Sequence, residues 1–310
     1  MGLYLITWTR LIFKVQCAKA TTCSIRNMRA IRSILALTSG RLLWLGLVLL
    51  GALNGAANAQ PSDSVYLEDL TSPELRARIA AGSHTVLIPI GGTEQNGPHM
   101  AIGKHNLRVK YLAGQIARKL GNTIVAPVLA YVPEGSIAPP VAHMRFSGTI
   151  SVSDATFQAI LESTASSFRQ HGFREIFFLG DHGGYQKAER AAADRINHDW
   201  RSDPRARVYA LSAYYDASQG PYIQYLRGKG YSDAEIGLHA GLADTSMMLA
   251  IEPSMVRQDL LAQSAQTGPA DGVYGDPRRS SAELGRAGLQ LIIDQSVRAI
   301  QDARQHRPNP

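Results

Sequence analysis

TVLIPI (Thr85–Ile90) runs straight into GGTEQNGPHMAIGKHN (Gly91–Asn106). Six residues with no charged interruption have the length and composition of a β-strand buried on both faces. The loop after it gathers four glycines, the carboxylate of Glu94 and the imidazoles of His99 and His105. In α/β sheets, ligands bind beyond the carboxyl ends of the strands, so such a loop belongs at a site. The pattern recurs: EIFFL (Glu175–Leu179) runs into Gly180-Asp181-His182-Gly183-Gly184. Glu94 and His182 are therefore predicted to meet at one sheet edge.

Outward from these strands the chain alternates. A helix is predicted from Ser72 to Ala81, with Pro73 in the first turn, where its missing N–H costs nothing. Leu107, Tyr111, Leu112, Ile116 and Leu120 give helical spacing from Asn106 to Gly121, and Thr123–Tyr131 returns to strand character. Ser153-Asp154 caps a helix reaching Gln170, and another helix follows from Tyr185 to Trp200. Arg207–Ala213 reads as a strand, Leu242–Ile251 and Ala282–Arg304 as helices, and Tyr214, Tyr215, Tyr222 and Tyr225 as core and interface aromatics. Apolar strands separated by helices predict one doubly wound α/β domain over 60–310, its mostly parallel sheet covered on both faces.

The net charge of +7 comes from one end. Seven of the 32 basic residues (Arg10, Lys14, Lys19, Arg26, Arg29, Arg32, Arg41) lie in 1–59, which has no Asp or Glu; the remainder balances 25 basic against 25 acidic residues. That balance argues against nucleic acid or an acidic lipid surface as partner. Met28, the arginines after it, the apolar run Leu42–Leu53 and Ala57-Asn58-Ala59 read as a secretory signal peptide starting at Met28 and cleaved after Ala59. The run is short of the ~20 residues of a membrane span. A periplasmic or secreted protein with no membrane attachment after cleavage is expected. Both cysteines, Cys17 and Cys23, fall in the leader, which excludes a cysteine nucleophile or cysteine-ligated zinc from the mature chain.

Three strand-end loops bring histidine together with a carboxylate: Glu94 with His99 and His105, Asp181 with His182, and His239 with Asp244. Imidazole with carboxylate suits zinc, manganese or another borderline divalent ion. His99, after Pro98, reads as a structural member of its turn, and Lys104 as a solvated lysine. His143 is placed to reach the substrate or a neighbouring subunit. No phosphate loop, nucleophile elbow or dinucleotide fingerprint occurs.

GTEQNGPH, HMRFSGTI (His143–Ile150), the DHGG turn, HAGLADTS (His239–Ser246) and GVYGDP (Gly272–Pro277) resemble, in order, the signature segments of the creatininase (creatinine amidohydrolase) family. The resemblance covers nearly all of 85–290. It implies a three-layer α/β/α sandwich, a divalent-metal hydrolase acting on amide C–N bonds, and commonly a homohexamer. Glu94 matches the family's first carboxylate ligand, His182 its strand-end histidine ligand and His239 its HAG histidine. Departures stand beside these matches. Asn96 replaces a histidine, His105 a metal-bridging Asp, Gly184 a Glu ligand, Asp244 a Glu, and Tyr185 an Asn.

A carboxylate can bridge two cations, whereas a neutral imidazole offers one lone pair. The altered set therefore predicts one ion, zinc or manganese, on Glu94, His105 and His182, with an open position for water and Asp244 as fourth ligand or outer partner. His239 is assigned proton transfer to the leaving nitrogen. Asp181 contacts ligands or substrate, and Asn96, His143 and Gly183 are expected either to contact the substrate or to support the ligands from behind. The expected activity is hydrolysis of a small amide, cyclic amide or formamide by a homo-oligomer. The competing reading is a non-catalytic periplasmic binding protein on the same fold.

Overall fold

The computed structural model describes residues 63–305, Pro204 excepted. The expected leader, with both cysteines, lies outside the described residues.

Four parallel strands form the sheet in the order β2-β1-β3-β4: β1 (Thr85–Ile90), β2 (Thr123–Val125), β3 (Glu175–Gly180) and β4 (Arg207–Ala210). Alternate side chains of each strand point to opposite faces. Val86, Ile88, Ile90, Ile176 and Phe178 enter one core, whereas Leu87, Phe177 and Leu179 enter the other. Both faces are therefore apolar, which is why the strands read as unbroken apolar runs.

Helix α1 (Ser72–Ala80) starts at a capping box between Thr71 and Glu74. Helix α2 (Lys104–Leu120) lays Val109, Leu112, Ala113 and Ile116 on the Leu87 face. The opposite face takes Phe157, Leu161 and Ala165 of α3 (Asp154–Gln170) and Ala188, Ala192 and Ile196 of α4 (Gln186–Asp199). After β4 come α5 (Ser212–Gln219), α6 (Pro221–Gly228), α7 (Asp233–Ile236), α8 (Leu242–Ile251), α9 (Leu261–Thr267) and α10 (Ala282–Gln305). Leu289, Ile292 and Ile293 of α10 close the Leu87 face, and the result is a three-layer α/β/α sandwich. None of the described helices is long and apolar enough to cross a membrane.

Two strands are shorter than expected. Ala126 still donates to Leu87 O, but Leu129, not Val128, donates to Pro89 O, so the register slips one residue at Pro127, which has no N–H to give. At the other edge, Leu211 makes the last bond to Phe178 O and the chain turns into α5. Tyr214 and Tyr222 are core residues, as expected of them.

Candidate metal centre

From β1 the chain grows outward to β2, then crosses back to place β3 on the other side of β1. The crevice between β1 and β3 is thus the switch point where α/β sheets bind ligands. The two strand ends are held together by one hydroxyl. The single Tyr185 hydroxyl proton is shared between the carbonyls of Ile90 (2.8 Å) and Gly91 (2.7 Å), and the oxygen accepts from the N–H groups of Asp181 (2.9 Å) and His182 (3.1 Å). Gly92 follows with φ +147°, and a Cβ there would lie 2.3 Å from Glu134 Oε1. Glycine is needed both for the backbone conformation and for the approach of that carboxyl.

Glu94 is fully buried and shows a different environment to each oxygen. Oε1 faces His105 Nε2 at 2.7 Å, the Lys104 ammonium at 3.3 Å and His239 Nδ1 at 3.6 Å. Oε2 faces His143 Nε2 at 3.2 Å and His182 Nε2 at 3.5 Å and accepts no hydrogen bond. Beside it, both oxygens of buried Glu134 also accept none. Glu94, Glu134, His143 and His182 offer ligand atoms that all lie within 4.8 Å of one another. Unbonded carboxylate oxygens in a buried site are costly unless a cation meets them, and two carboxylates with two imidazoles are a donor set for zinc or manganese. The residues fit the ion that the sequence implies.

The ligands expected from sequence are gathered at this point but grouped differently. Both ring nitrogens of His105 are engaged, Nε2 by Glu94 Oε1 at 2.7 Å and Nδ1 by Asp181 Oδ2 at 2.6 Å, so neither faces the cluster. Asp244 is engaged by Lys104 Nζ (3.2 Å), Arg108 Nη1 (2.6 Å) and the Ala240 N–H (3.0 Å). Asp181 accepts from Arg108, His105 and the Tyr214 hydroxyl. These groups build a wall behind Glu94. The buried Asn96 amide donates to the carbonyls of Glu94 (3.0 Å) and Ala101 (3.2 Å), stapling its own loop. Gly183 packs against Tyr215, whose hydroxyl would lie 2.5 Å from a Cβ there. His99 bridges Ser264 and Thr245, the structural role expected of it.

Two residues depart from the sequence reading. Lys104, expected in solvent, is 1% exposed because α2 starts with it and turns its side chain inward between Glu94 and Asp244. Glu134 was not foreseen. It sits on an irregular loop with no periodicity to mark it, although it is the only acidic residue between Glu94 and Asp154, a signal that was there to be read.

Electrostatics follow from these contacts. Burial raises the Glu94 carboxyl, but Lys104 and then His105 pull it well below the usual carboxylate range. Burial, then the charge of Glu94, pushes Glu134 up to about 9. Burial lowers His182 to about 3 against the pull of Glu94, and burial with Lys104 lowers His239 to about 3. The imidazoles facing the cluster are accordingly neutral, the form that binds metal. His239 Nε2 donates to Gln95 O at 2.8 Å, which leaves the Nδ1 lone pair turned toward Glu94. A cleft of about 600 Å³, lined by Glu134, His143, His182, Gly184, Ser136 and Asp154 among others, opens from the cluster to solvent.

Known proteins share this architecture. The chain is 28% identical to the creatinine amidohydrolase of Pseudomonas putida over 260 residues, 78% of this chain and 96% of that one. It is 24% identical to the 3-dehydro-scyllo-inosose hydrolase of Thermotoga maritima, with 79% and 85% covered. A crystal structure of creatinine amidohydrolase superposes with TM-score 0.66 at 26% identity, over 80% of this chain and all of that one. A manganese form of creatininase gives 0.63 at 27% identity, over 79% of this chain and all of that one. A zinc form gives 0.65 at 25%, over 80% of this chain and all of that one. A family model described as creatinine amidohydrolase matches residues 68–300, and with this sheet and this strand-end site the chain belongs to the creatininase family.

Proposed function

We propose that the protein is an exported hydrolase that uses one zinc or manganese ion to cleave a C–N bond in a small amide, cyclic amide or formamide. The observation that carries this reading is the cluster of Glu94, Glu134, His143 and His182 with its unbonded carboxylate oxygens. These four residues would hold the ion. A divalent ion bound there supplies a polarised carbonyl and a water whose pKa falls to about 7. The protein's own groups do the rest. The cleft admits the substrate from the Glu134 and His143 side. His239 is neutral with Nδ1 turned inward, so it takes a proton during attack and returns it to the leaving nitrogen. Its Nε2–H bond to Gln95 O fixes the ring for that exchange. His105 and Lys104 keep Glu94 ionised and immobile. Because the donor set differs from that implied by the family pattern, creatinine is not the substrate we favour.

The test is elemental analysis of purified protein, followed by a screen of amides, lactams and formamides after metal reconstitution. One ion per chain with turnover lost on chelation is the expected result. Absence of any bound divalent ion overturns the reading in favour of a binding protein. Export and oligomerisation belong to the same proposal, resting on the leader sequence and the family. Cell fractionation and light scattering test them: cytosolic full-length protein or a monomer would remove those parts.

A further inference from the structure

The Oε1 half of Glu94 already has a cation of its own. Lys104 Nζ lies 3.3 Å from Glu94 Oε1 and 3.2 Å from Asp244 Oδ2. His239 brings Nδ1 to 3.6 Å from the same Glu94 oxygen, with its other nitrogen committed to Gln95 O. Two carboxylate oxygens and an imidazole lone pair are the donors a divalent cation would choose. Here the two carboxylate oxygens flank a buried ammonium, and the imidazole meets one of them. Lysines are almost never fully buried unless paired, and this one is paired on two sides.

The charges agree with that arrangement. Lys104 lies between Glu94 and Asp244, and Arg108 pairs with Asp181 and Asp244. With the function proposed above as its basis, we infer that Lys104 is a tethered cation filling a second metal pocket formed by Glu94 Oε1, Asp244 Oδ2 and His239 Nδ1, and that it thereby limits the protein to one exchangeable ion. An ammonium neither ionises water nor polarises a carbonyl. Its single charge sits between Asp244 and Glu94 and favours the ionised form of both carboxylates. Lys104 thus prepares the ligands of the first ion without competing for its water.

The test counts Mn2+ on the full protein and on Lys104→Ala, by elemental analysis and by electron paramagnetic resonance. The expected change is from one to two ions per chain, with the spectrum of a spin-coupled pair, because Glu94 would touch both. Adding Asp244→Asn to Lys104→Ala should return the count to one. A Lys104→Ala protein that still holds one ion overturns the inference, and so does a double variant that holds two. If Lys104→Ala melts early, Mn2+ must raise its melting temperature more than it raises that of the parent; an equal or smaller rise also overturns it. No ion on the parent but one on Lys104→Ala would sink the proposed function and keep this inference.

Discussion

The two ends of the sheet both carry polar clusters, and they differ in completeness. At the strand starts, Thr85, Thr123 and Glu175 meet Arg304 of α10. Arg304 donates to Glu175 Oε2 (3.0 Å), Thr85 Oγ1 (2.6 Å) and Thr123 Oγ1 (3.2 Å), while Thr85 donates to Glu175 (2.5 Å). At the strand ends, Glu94 and Glu134 keep three carboxylate oxygens that accept nothing, in front of neutral imidazoles. The first cluster is closed and needs no ligand. The second is incomplete without one. A third case refines the contrast: buried Glu189 also has an unbonded oxygen, but it is not part of the group of converging ligand atoms. An unbonded acceptor marks a site only where other donors converge on the same point.

The largest effect should come from Glu94→Gln, which removes the carboxylate shared by both halves of the centre. We expect kcat/KM to fall by at least about 10³-fold, the scale of losing one essential electrostatic group, with metal content near zero. Retained metal would break the proposed centre. His105→Ala is expected to be milder, because His105 orients Glu94 rather than facing the cluster. Removing such an outer partner costs about 10–100-fold in metal affinity, measurable by competition with a chelator. His99→Ala should leave affinity unchanged while lowering stability.

Glu189→Gln probes the unbonded oxygen that is not a site. Burial raises this carboxyl from 4.5 to about 8, so the folded chain keeps a proton that the unfolded chain releases. Stability should therefore fall as pH rises from 4.5 to about 8, by a few kcal/mol at about 1.4 per unit. The glutamine variant should flatten that slope and melt higher at pH 8 in thermal scans, with its metal content unaltered; an unchanged slope would mean the carboxyl is not held protonated. The smallest effect is expected at the strand starts. Arg304→Met should cost about 1 kcal/mol, roughly 2–4 °C in melting temperature, with metal content and activity intact. A loss of metal there would erase the contrast between the two ends.

Several parts of this picture were legible in the residues alone. TVLIPI and EIFFL announced buried parallel strands, and the loops after them announced where Glu94 and His182 would meet. Tyr185 could be seen only as a departure from the family pattern; its hydroxyl as the staple between β1 and β3 required the packed chain. The short helices α5, α6 and α7 escaped a reading by periodicity because eight residues or fewer give too few repeats. Pro127 shortened a strand whose apolar run continued past it.

By itself the sequence determined the class of fold, the sheet edge that carries chemistry and the kind of ion its loops suit, because apolar runs, glycines and metal-binding side chains are local properties. Tertiary structure alone decided the partners. Lys104 and His105 saturate one side of Glu94, backed by Asp244 and Arg108, whereas Glu134 and His143, from a loop without periodicity, face the other. Which oxygen meets a fixed cation and which is left open depends on distances of a few ångströms between segments far apart in the chain, and no spacing along the sequence encodes them.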